Sequence, residues 1–167
     1  TARLAQHCPN VLGIDVARPE LERAAAAFGD RPGLSFAFAD VFDPVFAEAP
    51  FDLIVLASSA QYFPDLGALL DRLLELLGRG GEVVLLDTPL YRENQLSAAR
   101  EATRRYYARL EVPEMAARYH HHQWSALDGR AVELVYDPRR LVQHFARRVL
   151  RLAVSPFPIV TIRRSPP

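Results

Sequence analysis

A single cysteine, Cys8, excludes an internal disulfide and points to a reducing compartment. Neither sign of charge is in surplus: 20 basic side chains, arginine in character, balance 20 acidic ones. That balance argues against tracking nucleic acid, which needs a basic surface. No apolar run approaches the roughly 20 residues of a membrane span. The opening TARLAQHC also lacks the cationic, apolar and small-residue order of a secretion signal. These absences lead to the expectation of a cytoplasmic protein with a small-molecule partner, and with neither nucleic acid nor membrane. Oligomeric state is not legible. What is present is the composition of a folded globular chain, 50% hydrophobic and 24% charged, in 167 residues that suit one domain.

Apolar runs alternate with helical patterns. Residues 1–8 read as a helix stopped by Pro9-Asn10, and Val11–Asp15 as a short strand. Leu21–Phe28 reads as an alanine-rich helix with Pro19 in its first turn and Gly29 at its end. Leu34–Ala39 is the next strand, and Asp43-Pro44 opens a short helix or loop. Leu53–Ala57 is a third strand and Asp65–Leu77 an amphipathic helix stopped by Gly78 and Gly80-Gly81. Glu82–Asp87 is a fourth strand. Continuous apolar strands between helices predict an α/β fold: a mostly parallel, doubly wound sheet between helical layers, a three-layer sandwich. Beyond Pro89 the pattern predicts a charged helix over Glu93–Leu110, a polar and aromatic stretch through Trp124, and a helix over Arg139–Phe145. Two terminal strands, Val149–Val154 and Ile159–Arg163, are expected to form an antiparallel hairpin. The reading is one domain, 1–167, with 89–136 a helical and aromatic insertion on the substrate side. Residues 139–164 collect seven arginines and no acid, which reads as a solvated sheet edge rather than a phosphate site.

Two strands in succession end in an acid, VLGID at Asp15 and LSFAFAD at Asp40. Acids at the carboxyl ends of parallel strands point into the crevice where such sheets bind nucleotide-like ligands, and one after the second strand can accept from both ribose hydroxyls. Each aspartate could equally cap a turn or helix, and at this level both readings stay open.

VLGIDVARPELERA resembles the second strand and following helix of class I S-adenosylmethionine-dependent methyltransferases. LSFAFADV resembles their third-strand motif, FDLIVLASSAQYF their fourth, and LLDRLLELLGRGGEVVLLD their helix, Gly-Gly turn and fifth strand. The resemblance implies S-adenosylmethionine as cofactor and S-adenosylhomocysteine as product. It implies that Asp15 holds the ribose diol, Val16 lies on the adenine, Asp40 accepts from the adenine amino group, and the Val41 N–H reaches a ring nitrogen. Ala57 and Ser58 would face the methionine part. Gln61, Tyr62 and Phe63 would lie beside the cofactor, where relatives often carry histidines or aromatics. The family's first strand and its glycine-rich loop have no counterpart, and TARLAQHCPN resembles the helix that follows them. The expectation is that this strand lies upstream, leaving a place about 10 Å wide beside Val11–Asp15. Direct pairing of the Val11 and Leu53 strands would overturn it.

The expected substrate wall is Tyr91–Trp124, with Tyr91, Tyr106, Tyr107, Tyr119, His120, His121, His122 and Trp124. Three adjacent histidines diverge by about 100° on a helix, or to opposite faces of a strand, so they cannot chelate one ion together, and no metal site is expected. His121 and Tyr107 are the candidate catalytic groups, with packing as the competing role for the tyrosines. Two other functions compete with methyl transfer: a methyltransferase-like module that binds without catalysing, and an NAD(P)-dependent oxidoreductase, which shares the acid after the second strand.

Overall fold

Val11–Asp15 forms strand β1 in the computed structural model, which describes residues 1–46, 50–138 and 155–164. The chain divides into two units, Thr1–Glu48 and Ala49–Pro167.

In the first unit β1 leads to helix α1, Arg18–Phe28, where Pro19 occupies the first turn and costs no hydrogen bond there. The helix closes with the Gly29 N–H donating to Ala25 O at 2.8 Å. Strand β2, Leu34–Phe38, runs parallel to β1, with Val11 opposite Leu34 and Asp15 opposite Phe38. The turn between α1 and β2 needs Gly33: its φ is +75°, and a side chain there would strike the Pro9 carbonyl oxygen. Residues 1–8 form only one 3-10 turn, Leu4–Gln6. So short a segment gains too few hydrogen bonds to offset helix nucleation.

In the second unit strand β3, Phe51–Ala57, is followed by helix α2, Leu66–Glu75. Asp65 caps this helix, its carboxylate accepting from the Ala68 N–H at 3.0 Å. Leu66, Leu69, Leu70 and Leu73 recur at helical spacing on one fully buried face. Burying each stabilises the unit by about 1.5–3 kcal/mol. Strand β4, Leu77–Leu86, is parallel to β3 and begins earlier than its apolar pattern suggests. The register slips between Phe51 and Leu53, where Gly78–Gly81 bulges outward. Only glycine fits at position 81, because a Cβ there would lie 2.7 Å from Phe51 O.

The charged helix is a 3-10 turn, Glu93–Gln95, running into α3, Leu96–Arg109. Strand β5, Ala131–Tyr136, and strand β6, Ile159–Arg163, complete the second sheet in the order β3-β4-β6-β5, with β6 antiparallel to both neighbours. Ile159–Arg163 pairs antiparallel with Ala131–Tyr136; the expected partner Val149–Val154 lies outside the described residues. Strand β5 makes the end of the 89–136 segment part of the sheet rather than a helical insertion. Arg163 bridges β4 and β5, donating to Glu82 at 2.8 Å and Glu133 at 2.7 Å. Arg163 lies at the end of the inner strand β6 and is half-exposed, while Arg139–Arg151 and the helix Arg139–Phe145 lie outside the described residues.

The result is a mixed α/β fold whose helix-linked strands are parallel. Among the described residues strand β1 pairs with β2 alone and β3 with β4 alone, so each is an edge strand of its sheet. No helix among the described residues is long and apolar enough to cross a membrane.

Candidate functional site

Strand ends supply the candidate residues. In the first unit the exposed Asp15 accepts the Ala17 N–H on Oδ1 at 2.8 Å, and Asp40 accepts the Phe42 N–H on Oδ1 at 2.9 Å. The Asp40 N–H in turn donates to Asp43 Oδ2 at 3.0 Å. Both aspartates thus form Asx turns, and the turn reading of each is correct as far as it goes. Each turn uses one oxygen and fixes the carboxylate, while Oδ2 of both makes no protein hydrogen bond among the described residues. Val16 beside Asp15 is 63% exposed, and Val41 beside Asp40 is half-buried.

In the second unit the parallel strands β3 and β4 both end on a residue in the left-handed region, Ser58 at φ +54° and Asp87 at φ +48°. Non-glycine residues rarely sit there without a surrounding structure that holds them. The Ser58 N–H donates to Leu86 O at 3.0 Å, and its carbonyl accepts from Gln61 Nε2 at 2.7 Å. Asp87 accepts from Ser155 Oγ at 2.8 Å. Ala57 is exposed. Gln61 is buried, and its Oε1 has no partner. Reversing the amide would set Oε1 against the Ser58 carbonyl, so the unpaired oxygen is a property of the site.

Four residues after each strained position stands a tyrosine, Tyr62 after Ser58 and Tyr91 after Asp87. Around them gather Tyr107 of α3, Tyr119 and His121. The Tyr62 and Tyr107 hydroxyls are 3.1 Å apart. Ring centres lie 6.1 Å apart for Tyr62–Tyr119, 6.3 Å for Tyr107–Tyr119, 5.0 Å for Tyr119–His121 and 5.5 Å for Tyr91–His121. Tyr106 joins edge-on to Tyr107 at 5.2 Å. Burial, and then the Tyr62 hydroxyl, push the Tyr107 phenol up to about 12. Burial also raises the Tyr91 and Tyr119 phenols. All three are neutral O–H groups near neutral pH. Tyr107 is both a packed residue and a member of this wall.

The strand-like segment carrying the histidines is fixed by its backbone. The His120 N–H donates to Gln61 O at 2.7 Å, the Tyr91 N–H to His122 O at 2.9 Å, and the Trp124 N–H to Tyr91 O at 3.1 Å. The three side chains then diverge, as adjacency requires. His121 Nε2 lies 2.9 Å from Thr103 Oγ1 on α3. His122 Nε2 lies 3.0 Å from Ala60 O and must donate, since a carbonyl only accepts. Burial lowers the pKa of both rings and keeps them neutral. His120 stacks on His122 at 6.4 Å and is the one of the three without a side-chain hydrogen bond among the described residues. Trp124 is half-buried and contributes its backbone to this ladder. Nearby, a cleft of about 530 Å³ is bordered by Asp65, Arg100, His121, His122 and Ser125.

Gln61 and Tyr62, expected beside the cofactor, and Tyr91, Tyr106, Tyr107, Tyr119 and the histidines, expected on the substrate wall, lie next to one another. The sequence reading missed Thr103 and Asp87. Asp87 carried a signal, as it closes the apolar run GEVVLLD in the manner of Asp15 and Asp40. Thr103 carried none, because its partner is 18 residues away.

The profile of the methyltransferase domain family matches residues 1–83. Over 78 residues the chain is 38% identical to the nocamycin O-methyltransferase of Saccharothrix syringae, covering 45% of this chain and 28% of that protein. The chain thus spans less than a third of that relative's length. The fold resembles an S-adenosylmethionine-dependent methyltransferase from Mesorhizobium loti, with TM-score 0.59 and 20% identity over 96% of this chain and 82% of that one. It also resembles the YcgJ protein of Bacillus subtilis, with TM-score 0.61 and 15% identity over 95% and 84% of the two chains.

Proposed function

We propose that this chain, which belongs to the class I S-adenosylmethionine-dependent methyltransferases, binds that cofactor through its strand-end aspartates and transfers the methyl group to a small acceptor. The observation that carries the reading is the state of Asp15 and Asp40. Each is held by one oxygen in a turn and keeps the other for a ligand. Such oxygens fit the donors of a nucleoside, the ribose hydroxyls for Asp15 and the adenine amino group for Asp40, with Val16 and the Val41 N–H completing the nucleoside half.

When bound, the cofactor supplies an activated methyl group on a sulfonium. The chain's own task is then to orient the acceptor, exclude water and, for a hydroxyl acceptor, remove a proton. The aromatic wall of Tyr62, Tyr91, Tyr106, Tyr107 and Tyr119, with Trp124 behind it, orients. For the proton, His120 is better suited than His121. His121 is committed to Thr103, whereas the His120 ring makes no side-chain hydrogen bond among the described residues and is anchored by its backbone to Gln61. Tyr107, with its phenol pushed up, suits donating a hydrogen bond rather than accepting a proton. The balanced charge and the single unpaired Cys8 support a cytoplasmic enzyme of small molecules.

Ultraviolet cross-linking with S-adenosylmethionine labelled in its methyl group tests the reading. The wild-type protein should take up label in competition with S-adenosylhomocysteine, and Asp15→Leu with Asp40→Leu should lose it. Equal labelling of wild type and the double variant would refute the assignment.

A further inference from the structure

Resting on the methyl-transfer reading, we infer that the acceptor is a neutral, planar ring system bearing a hydroxyl group, seated on the aromatic wall and recognised by the Tyr62–Tyr107 hydroxyl pair.

Three observations carry this. The first is position. Tyr62 and Tyr91 each stand five residues beyond the last residue of a parallel strand, four after Ser58 and Asp87. In open α/β sheets that end of the strands is where ligands sit. Tyr62 and Tyr106 are 44% and 50% exposed, so the wall offers open ring faces. Flat aromatic partners stack on such faces in offset or edge-on geometry.

The second is charge. Among the described residues no carboxylate or guanidinium hydrogen-bonds to Tyr62, Tyr91, Tyr106, Tyr107 or Tyr119. Burial keeps the phenols of Tyr91, Tyr107 and Tyr119 protonated and the His121 ring neutral. Carboxylate and phosphate acceptors call for a guanidinium fork, and amine cations for an acid. The tyrosine wall supplies neither. Arg100, whose charge acts on His121, lines the cleft beside the start of α2 together with His121 and Asp65.

The third is the hydroxyl pair itself. With the two oxygens 3.1 Å apart, one phenol donates and the other accepts. The accepting phenol keeps its own proton to give, and both oxygens keep lone pairs. The pair therefore presents a donor and an acceptor side by side to a ligand hydroxyl, which needs both.

The test uses four naphthalene probes of one shape: 2-naphthol, 2-methoxynaphthalene, 2-naphthoate and 2-(aminomethyl)naphthalene. Each is titrated calorimetrically into the wild-type protein and into the Tyr62→Phe and Tyr107→Phe variants. S-adenosylhomocysteine is titrated separately into each. The inference expects 2-naphthol to bind about tenfold more tightly than its methyl ether, the worth of one net hydrogen bond. It expects either phenylalanine variant to level the two without weakening the ether. Strongest binding by the naphthoate or the amine overturns the inference, as does a naphthol preference that survives both variants or no naphthalene binding at all. Wild-type protein that prefers 2-naphthol yet ignores S-adenosylhomocysteine would sink the methyl-transfer reading while leaving the hydroxyl site standing. Should a variant fold poorly, the wild-type ranking of the four probes decides alone.

Discussion

The hydroxyl oxygens of Tyr62 and Tyr107 meet at 3.1 Å across 45 positions of sequence, tying the turn after β3 to helix α3. Tyr107 is buried and Tyr62 half-exposed, so the bond has a stability consequence that removal of one oxygen can read. Tyr107→Phe should cost about 0.5–1.5 kcal/mol, the net worth of one such bond. Tyr107→Ala, which also empties ring volume, should cost about 3–5 kcal/mol. Urea unfolding of the two variants checks the difference. Equal losses would mean that the hydroxyl contributes nothing.

His122 sets the acid side of the stability curve. Burial holds its pKa below the ordinary 6.5, despite the Ala60 carbonyl that favours the charged form. The unfolded chain therefore binds the proton more readily than the folded one. The stability this histidine contributes is present above about pH 6.5 and is lost as pH falls below it. His122→Gln keeps a donor for Ala60 O and cannot titrate. Its unfolding midpoint should fall less steeply from pH 7 to pH 5 than that of the wild type, and superimposable pH slopes would exclude the role.

Arg130 clasps the first turns of α2 from below β5. Its guanidinium donates to Ala126 O at 3.0 Å, Gly67 O at 3.1 Å and Asp71 at 2.5 Å. Asp71 is mostly exposed, so the two carbonyl bonds carry the greater share. Arg130→Ala should destabilise by about 1–3 kcal/mol, while Asp71→Ala should cost less than half of that. Denaturant midpoints of the two variants decide; a larger loss for Asp71→Ala would reverse the assignment.

Asp15 has a local and a ligand role that two substitutions separate. Asn keeps the oxygen that accepts the Ala17 N–H but loses the charge, whereas Leu loses both. Asp15→Asn should leave the melting temperature within a few degrees of wild type and weaken S-adenosylhomocysteine by about 10–100-fold, the range for hydrogen bonds to a charged group. Unchanged affinity would reduce Asp15 to its turn.

Strands β1 to β4 and helices α1 and α2 are legible in the chain because local signals agree. Pro19 and Gly29 bracket α1, Asp65 caps α2, and continuous apolar runs mark the parallel strands. The elements that escape such reading depend on distant partners. Ala131–Tyr136 is exposed along most of its length and carries Glu133, whose pairing with Arg163 of β6 only the fold reveals. Strand β6 lies between β4 and β5, a pairing that local composition does not encode. The site divides in the same way. Asp15, Asp40 and the cluster of tyrosines announce themselves by position and composition. The separation of His120 from His121 and His122 follows from Thr103 and Ala60, contacts no spacing rule encodes.

Calorimetric titration of the wild-type protein with S-adenosylhomocysteine, and in parallel with a nicotinamide dinucleotide, tests the central claim most directly. Saturable heat with S-adenosylhomocysteine and none with the dinucleotide is the predicted result. Binding of the dinucleotide alone, or of neither ligand, would contradict it.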